Sequence, residues 1–240
     1  MISYSSLHED LGIFRIFQKW KYNRKFKKDH PYYFSPDGLV VFIGAQGSGK
    51  TLSAVNYTYQ LLENYPKAIL VSNVELTDYP FDNKRIFYFN DATDLTRYNN
   101  GEFGVIFLID EIQLYFNSLQ SKNINIEVMT QISQQRKQRK HIIGTSQVFG
   151  RMAKPLREQF SNVILCKGYF NSLQINSLID RDSLESDEST GTNITGQVKK
   201  KFFFFRSPKM FKRYDTYSII KNPNLSISVD KQEIYERSDK

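Results

Sequence analysis

An α/β fold with a mostly parallel central sheet is predicted by three features of this sequence. Short apolar runs alternate with helix-like stretches between residues 39 and 169, the order that builds a parallel sheet. The clearest runs are continuously apolar rather than alternating, as in strands buried on both faces. A glycine-rich loop joins the first run to the first helix.

The first strand is Leu39–Ile43. A helix follows over Lys50–Asn64, with Leu52, Val55, Tyr59 and Leu62 at helical spacing. Ala68–Ser72 and Arg85–Phe89 read as strands. Gly104–Ile109 is the strongest strand, β-branched and cut off by two acids. A polar helical stretch then ends in the basic cluster Arg136-Lys137-Gln138-Arg139-Lys140. Strands follow at His141–Thr145 and Asn162–Lys167.

Flanking segments differ in character. Residues 1–38 form a basic, aromatic arm, with Phe14, Phe17 and Lys21 at helical spacing and His30-Pro31 ending the helix. The arm suits nucleic acid or membrane headgroups, or packs as a helix on the core. Residues 39–179 read as the main domain. Residues 180–200 are acidic and serine-rich, the composition of a mobile loop. Residues 201–240 form an aromatic and basic appendage. Within it Phe202–Phe205 reads as a strand buried on both faces, ahead of a nucleic-acid surface.

The 240 residues carry a formal charge of +8 and a pI near 9.3, a balance that suits a polyanionic partner. A single cysteine, Cys166, excludes an internal disulfide and indicates a reducing, cytoplasmic setting. No secretory signal is visible and no run approaches the roughly 18 to 20 apolar residues of a membrane span. A peripheral membrane contact through the arm stays open.

Gly44-Ala45-Gln46-Gly47-Ser48-Gly49-Lys50-Thr51 matches G-x-x-x-x-G-K-[ST] between strand and helix. There backbone N–H groups wrap phosphates, Lys50 reaches the β- and γ-phosphates, and the Thr51 hydroxyl is a hard ligand for Mg²⁺. Leu52 completes the loop's phosphate-facing backbone. ATP and Mg²⁺ are the expected cofactors. Asp110 and Glu111 close the strand Val105–Ile109, at the sheet edge where the loop sits. Asp110 is placed for the metal and Glu111 for the attacking water. Gln147, after the strand 141–145, would reach the γ-phosphate or that water. Arg136 and Arg139 are candidates to supply a cation to a neighbouring subunit's nucleotide, with Arg151 and Arg157 weaker ones.

Gly44–Thr51, Val71-Ser72-Asn73, Ile109-Asp110-Glu111 and Thr145-Ser146-Gln147 occur in the order of the FtsK–HerA superfamily of DNA-pumping ATPases, which this chain resembles. Within it the chain is most similar to the zonular-occludens-toxin-type ATPases of filamentous phages. Arg136 to Gln147 resembles that superfamily's arginine-to-glutamine segment, and Tyr214-Asp215-Thr216-Tyr217 a tyrosine motif after its ATPase domain. The resemblance implies a RecA-like P-loop NTPase fold. It also implies a homo-oligomeric ring, of five or six subunits, acting on double- or single-stranded DNA. The phage proteins usually continue into a membrane-spanning segment. This sequence shows none, so the resemblance implies packaging into a preformed capsid, with a portal or membrane surface as docking partner, ahead of export. The alternatives are a nucleotide-gated docking factor with little turnover, and a RecA-like helicase or replication ATPase.

Overall fold

The computed structural model describes residues 21–214 apart from 27, 36–37, 78–84, 118–125, 171, 181–182, 184 and 187–193. The expectations for Phe14, Phe17 and Asp215–Tyr217 lie outside the described residues. Residues 21–26 are helical, and Phe26 stacks on His30 with ring centroids 4.7 Å apart.

The strands are β1 (Leu39–Ile43), β2 (Ile69–Ser72), β3 (Ile86–Tyr88), β4 (Val105–Ile109), β5 (Lys140–Ser146), β6 (Phe160–Tyr169), β7 (Leu173–Ile179), β8 (Glu185–Ser186), β9 (Ile194–Thr195) and β10 (Val198–Phe205). The α-helices are α1 (Lys50–Asn64), α2 (Asp94–Arg97), α3 (Ile126–Ser133), α4 (Lys154–Arg157) and α5 (Pro208–Phe211). One eight-stranded sheet has the order β10-β7-β6-β1-β5-β4-β2-β3, and β8 pairs with β9 apart from it. From β6 to β3 every neighbouring pair is parallel. β7 and β10 add an antiparallel wing beyond β6.

Two apolar layers explain the unbroken hydrophobic runs. Val105, Phe107 and Ile109 of β4 face the layer holding Val128 and Ile132 of α3 and Leu156 of α4. Ile106 and Leu108 face the layer of Leu52, Val55, Tyr59 and Leu62 from α1. Successive strand residues point to opposite faces, so β1 and β4, covered on both sides, are apolar at every position.

The helix α1 is bounded as the sequence predicts, because its apolar positions match the covering layer. The wing departs from the sequence reading. β7 was not anticipated as a strand, and β10 begins within the segment expected to be a mobile loop. The four phenylalanines do form a strand, but a sheet-edge one rather than one buried on both faces: Phe203 is 74% and Phe205 71% exposed. Beyond β10 the chain returns over α1. Arg213 donates to Asn56 Oδ1 at 3.1 Å and lies 4.5 Å from the Tyr59 ring centroid. Tyr214 bridges to Leu76. Among the described residues no helix is long and apolar enough to cross a membrane.

Phe107 is fully buried and meets Phe89 and Tyr98 edge-on. Phe107→Ala is expected to cost about 3–5 kcal/mol, read as a lower urea midpoint at unchanged slope.

Candidate nucleotide site

The site lies where the carboxyl ends of β1, β4 and β5 meet the start of α1. β5 runs between β1 and β4 and is parallel to both. Ile43 pairs with Ser146 and Ile109 with Gly144, so Gly44, Asp110 and Gln147 emerge at one edge. Ligands of parallel sheets bind at that edge.

The glycine loop turns into α1 through Gly49, held in left-handed backbone at φ 85°. The first helical bond here is Ser53 N–H to Gly49 O at 3.0 Å. The N–H groups of Lys50, Thr51 and Leu52 precede it, as the opening donors of a helix do, and no acidic residue occupies the first turn. Such a terminus accepts an anion. Lys50 is buried, and its Nζ donates to Ala45 O at 3.1 Å across the loop. Ala45, Gln46 and Gly47 are exposed. Leu52 gives its side chain to the core, so only its backbone is available to a ligand.

Asp110 joins three elements. Thr51 Oγ1 donates to Asp110 Oδ1 at 2.9 Å, and the Thr145 hydroxyl donates to the same oxygen. The Asn73 side chain grips the Asp110 backbone from β2's end, accepting from its N–H at 2.7 Å and donating to its C=O at 2.9 Å. Burial of the carboxyl pushes its pKa up, reinforced by the Glu111 charge. The Thr145 and Thr51 hydroxyls and Lys50 oppose this. A carboxyl whose charge burial disfavours, beside a threonine hydroxyl, is a hard-oxygen pair that a magnesium ion would suit.

Glu111 adopts left-handed backbone, φ 51° and ψ 51°, a strained state for a non-glycine residue that persists where surroundings over-determine it. Its N–H donates to Thr145 Oγ1 at 3.0 Å. Its carboxylate accepts from Gln147 Nε2 at 2.9 Å and from Gln113 Nε2. Gln147, expected at the γ-phosphate or the attacking water, here bonds the Glu111 carboxylate.

Neither arginine of the basic cluster reaches this chain's own site. Arg139 precedes β5 at its amino end, about 20 Å from the loop at ~3.3 Å per strand residue. Its guanidinium donates to Tyr33 Oη at 3.3 Å and lies 4.8 Å from that ring's centroid, tying down the amino-terminal segment. Arg136 is exposed in the turn before β5, and Lys140 turns inward to Leu95 O at 2.7 Å.

The wing supplies residues that sequence reasoning missed. Ser48 O accepts from Gln174 Nε2 at 3.1 Å and from Arg206 Nη2 at 3.2 Å. Arg206 also donates to Gln174 Oε1 through Nε at 3.0 Å and Nη2 at 2.7 Å. Asn176 Oδ1 accepts from Gln174 Nε2 at 2.9 Å and from Ser53 Oγ at 3.2 Å. This network holds the outer side of the glycine loop. A Cβ at Gly168 would lie 2.0 Å from Arg206 Nη2, so a side chain there would push the guanidinium from its present place. The signal was the alternation in Leu173-Gln174-Ile175-Asn176, polar on one face only. Cys166 lies under the loop, its thiol pushed up to about 12 by burial, and is no nucleophile at neutral pH.

No protein-family profile matches the chain, and no curated protein sequence matches it. Several solved structures are similar at low identity. The N-terminal domain of zonular occludens toxin from Neisseria meningitidis is 14% identical, covering 74% of this chain and 98% of that one, with a TM-score of 0.47. The genome packaging NTPase B204 of Sulfolobus turreted icosahedral virus 2, in complex with ATP-gammaS, is 14% identical over 56% of this chain and 77% of that one, TM-score 0.45. The flagellar accessory protein FlaH of Methanocaldococcus jannaschii is 15% identical over 59% and 77%, TM-score 0.40. The mostly parallel α/β class itself rests on this chain's own strand order and pairing.

The raised pKa of Asp110 has a sign that can be tested. The native state keeps this proton to higher pH than the unfolded chain, so the stability it confers is lost as pH rises through the native value. Near neutrality the buried charge is a cost. Asp110→Asn, without added metal, should melt higher than wild type at neutral pH. The gap should close as pH falls below the ordinary carboxylate range, as followed by thermal melts. A gap independent of pH would assign the effect elsewhere.

Proposed function

We propose that this chain hydrolyses ATP with Mg²⁺ and, as a homo-oligomer, moves DNA in viral genome packaging or export. The observation that carries the ATPase reading is the convergence of Thr51 and Thr145 on the Asp110 carboxylate, with Glu111 and Gln147 beside it. In this reading the loop N–H groups and Lys50 bind the β- and γ-phosphates. Thr51 and Asp110 hold magnesium, which when bound would neutralise charge developing on the phosphates.

Glu111 takes the proton from a water as that water's oxygen bonds to the γ-phosphorus. The bond from that phosphorus to the bridging oxygen breaks and ADP departs with the electron pair. Lys50 stabilises the departing charge. The bonds from Gln147 and Gln113 occupy the Glu111 carboxylate, so the base works once its water replaces one of them. Gln147, at the carboxyl end of β5, then senses the γ-phosphate.

The DNA part is supported by the +8 charge and by the order of the loop, the Asp110-Glu111 pair and the Thr145-Ser146-Gln147 segment. Action across a subunit interface is supported by Arg136, which is exposed and far from its own loop. Arg139 is the weaker trans candidate because Tyr33 and Gly101 hold it.

Phosphate release measured with and without DNA tests the motor. An oligomer whose release ignores DNA would be the docking factor instead, and strand displacement would mark a helicase. Glu111→Gln should keep ATP affinity while losing roughly 10²- to 10⁴-fold in turnover, whereas Lys50→Ala should weaken both. Wild-type turnover in Glu111→Gln would remove its assigned role. Arg206→Ala should loosen the glycine loop and raise the Kd for a fluorescent ATP analogue about tenfold or more, the loss of charged hydrogen bonds.

A further inference from the structure

One face of the antiparallel wing carries large apolar side chains that nothing described in this chain covers. Residues alternate across β10, and the even positions turn toward α1, where Phe204 packs against the core layer and Gln174 and Asn176 of β7 hold the glycine loop. The odd positions face the other way. Register sets them in cross-strand rows: Phe205, Leu173 and Tyr169; Phe203, Ile175 and Lys167; Lys201, Ser177 and Leu165. Phe203 is 74% exposed, Phe205 71% and Tyr169 41%. Helices α3 and α4 cover the parallel strands on this side, and their layer ends at Val163 and Leu165 of β6.

An antiparallel sheet with one solvated face ordinarily puts polar residues there. Here rings stand in those positions, and the charged residues among them are basic. Lys167 and Lys201 flank the rings. Lys199 is paired with Asp180 at 2.9 Å at the far end of the strand. Lys200 lies on the opposite face, 4.9 Å from the Phe202 ring centroid. Rings standing in fixed rows beside ammonium groups match the two exposed chemistries of an unpaired strand, stacking faces and phosphates. A duplex hides its base faces, so it would use the lysines and leave the rings unpaired.

We propose that this wing face binds single-stranded nucleic acid. The binding claim stands apart from the ATPase reading. One consequence rests on that reading: Phe205 is followed by Arg206, whose guanidinium holds Ser48 O, so a strand on the rings bears on the backbone of the phosphate loop. This route would let occupancy of the face alter turnover.

Fluorescence anisotropy of a labelled oligothymidine, without nucleotide, tests the proposal. A duplex of equal length and anionic phospholipid vesicles serve as competitors. The single strand should bind more tightly than the duplex. The double variant Phe203→Ala/Phe205→Ala should lose at least about tenfold, while Phe203→Tyr/Phe205→Tyr, which keeps stacking faces, should bind like wild type. Lys201→Ala should lower the slope of log affinity against log salt by about 0.7.

Undiminished binding by the alanine pair overturns the proposal. So does preference for duplex or for vesicles. An alanine pair that loses self-association, as read by sedimentation, while binding oligothymidine normally would make the face a contact between copies and also overturn it. Oligothymidine binding without ATP hydrolysis would leave this proposal standing and sink the ATPase. Hydrolysis without binding would do the reverse.

Discussion

The arrangement of the site depends on a carboxylate kept where solvation disfavours it. Asp110 is pushed toward its neutral form by burial, and the hydroxyls of Thr51 and Thr145 hold its charged form by donating to one oxygen. Those threonines come from different elements, the start of α1 and the end of β5, while Asn73 fixes the backbone of Asp110 from the end of β2. Charge-assisted hydrogen bonds of this kind contribute about 1.5–3 kcal/mol each. They tie together the start of α1, the end of β5 and the end of β4. The burial that raises this carboxyl's pKa makes its charged form a local cost to stability.

A second constraint acts on the glycine loop from outside. Glycines let a loop wrap phosphates but leave it loose, because they forfeit the most conformational freedom on ordering. The Gln174, Asn176 and Arg206 network restores rigidity by fixing Ser48 O and Ser53. The wing is therefore part of the site, although its strands lie beyond the parallel sheet. Its two faces differ: Gln174 and Asn176 of one turn to the loop, while Phe203 and Phe205 of the other are exposed.

The arginines and the phenylalanines show where local pattern stops being informative. Arg136 and Arg139 look alike as a basic cluster ahead of a strand. Folding separates them, because Arg139 takes a left-handed backbone conformation at φ 53° and stacks on Tyr33 while Arg136 stays in solvent. Four consecutive phenylalanines read as a doubly buried strand because β4 and β1, with the same unbroken apolarity, are such strands. What differs is the neighbour. β1 and β4 have a strand on either side and a layer on either face, whereas β10 is an edge strand on which only Phe204 packs against a core layer.

The sequence alone determined everything carried by near neighbours along the chain. The glycine loop between strand and helix, the helix Lys50–Asn64 and the acids ending Val105–Ile109 follow from local spacing and hydrophobic period. So does the α/β class. Tertiary structure decided which strand ends meet. No local pattern states that β5 inserts between β1 and β4, yet that order alone brings Thr145 to Asp110 and Gln147 to Glu111. Nor does any local pattern place Arg206 on a loop more than a hundred residues earlier. The reason is physical: hydrophobic periodicity reports how much of an element is buried, while partner and register depend on shape and pairing across the whole sheet.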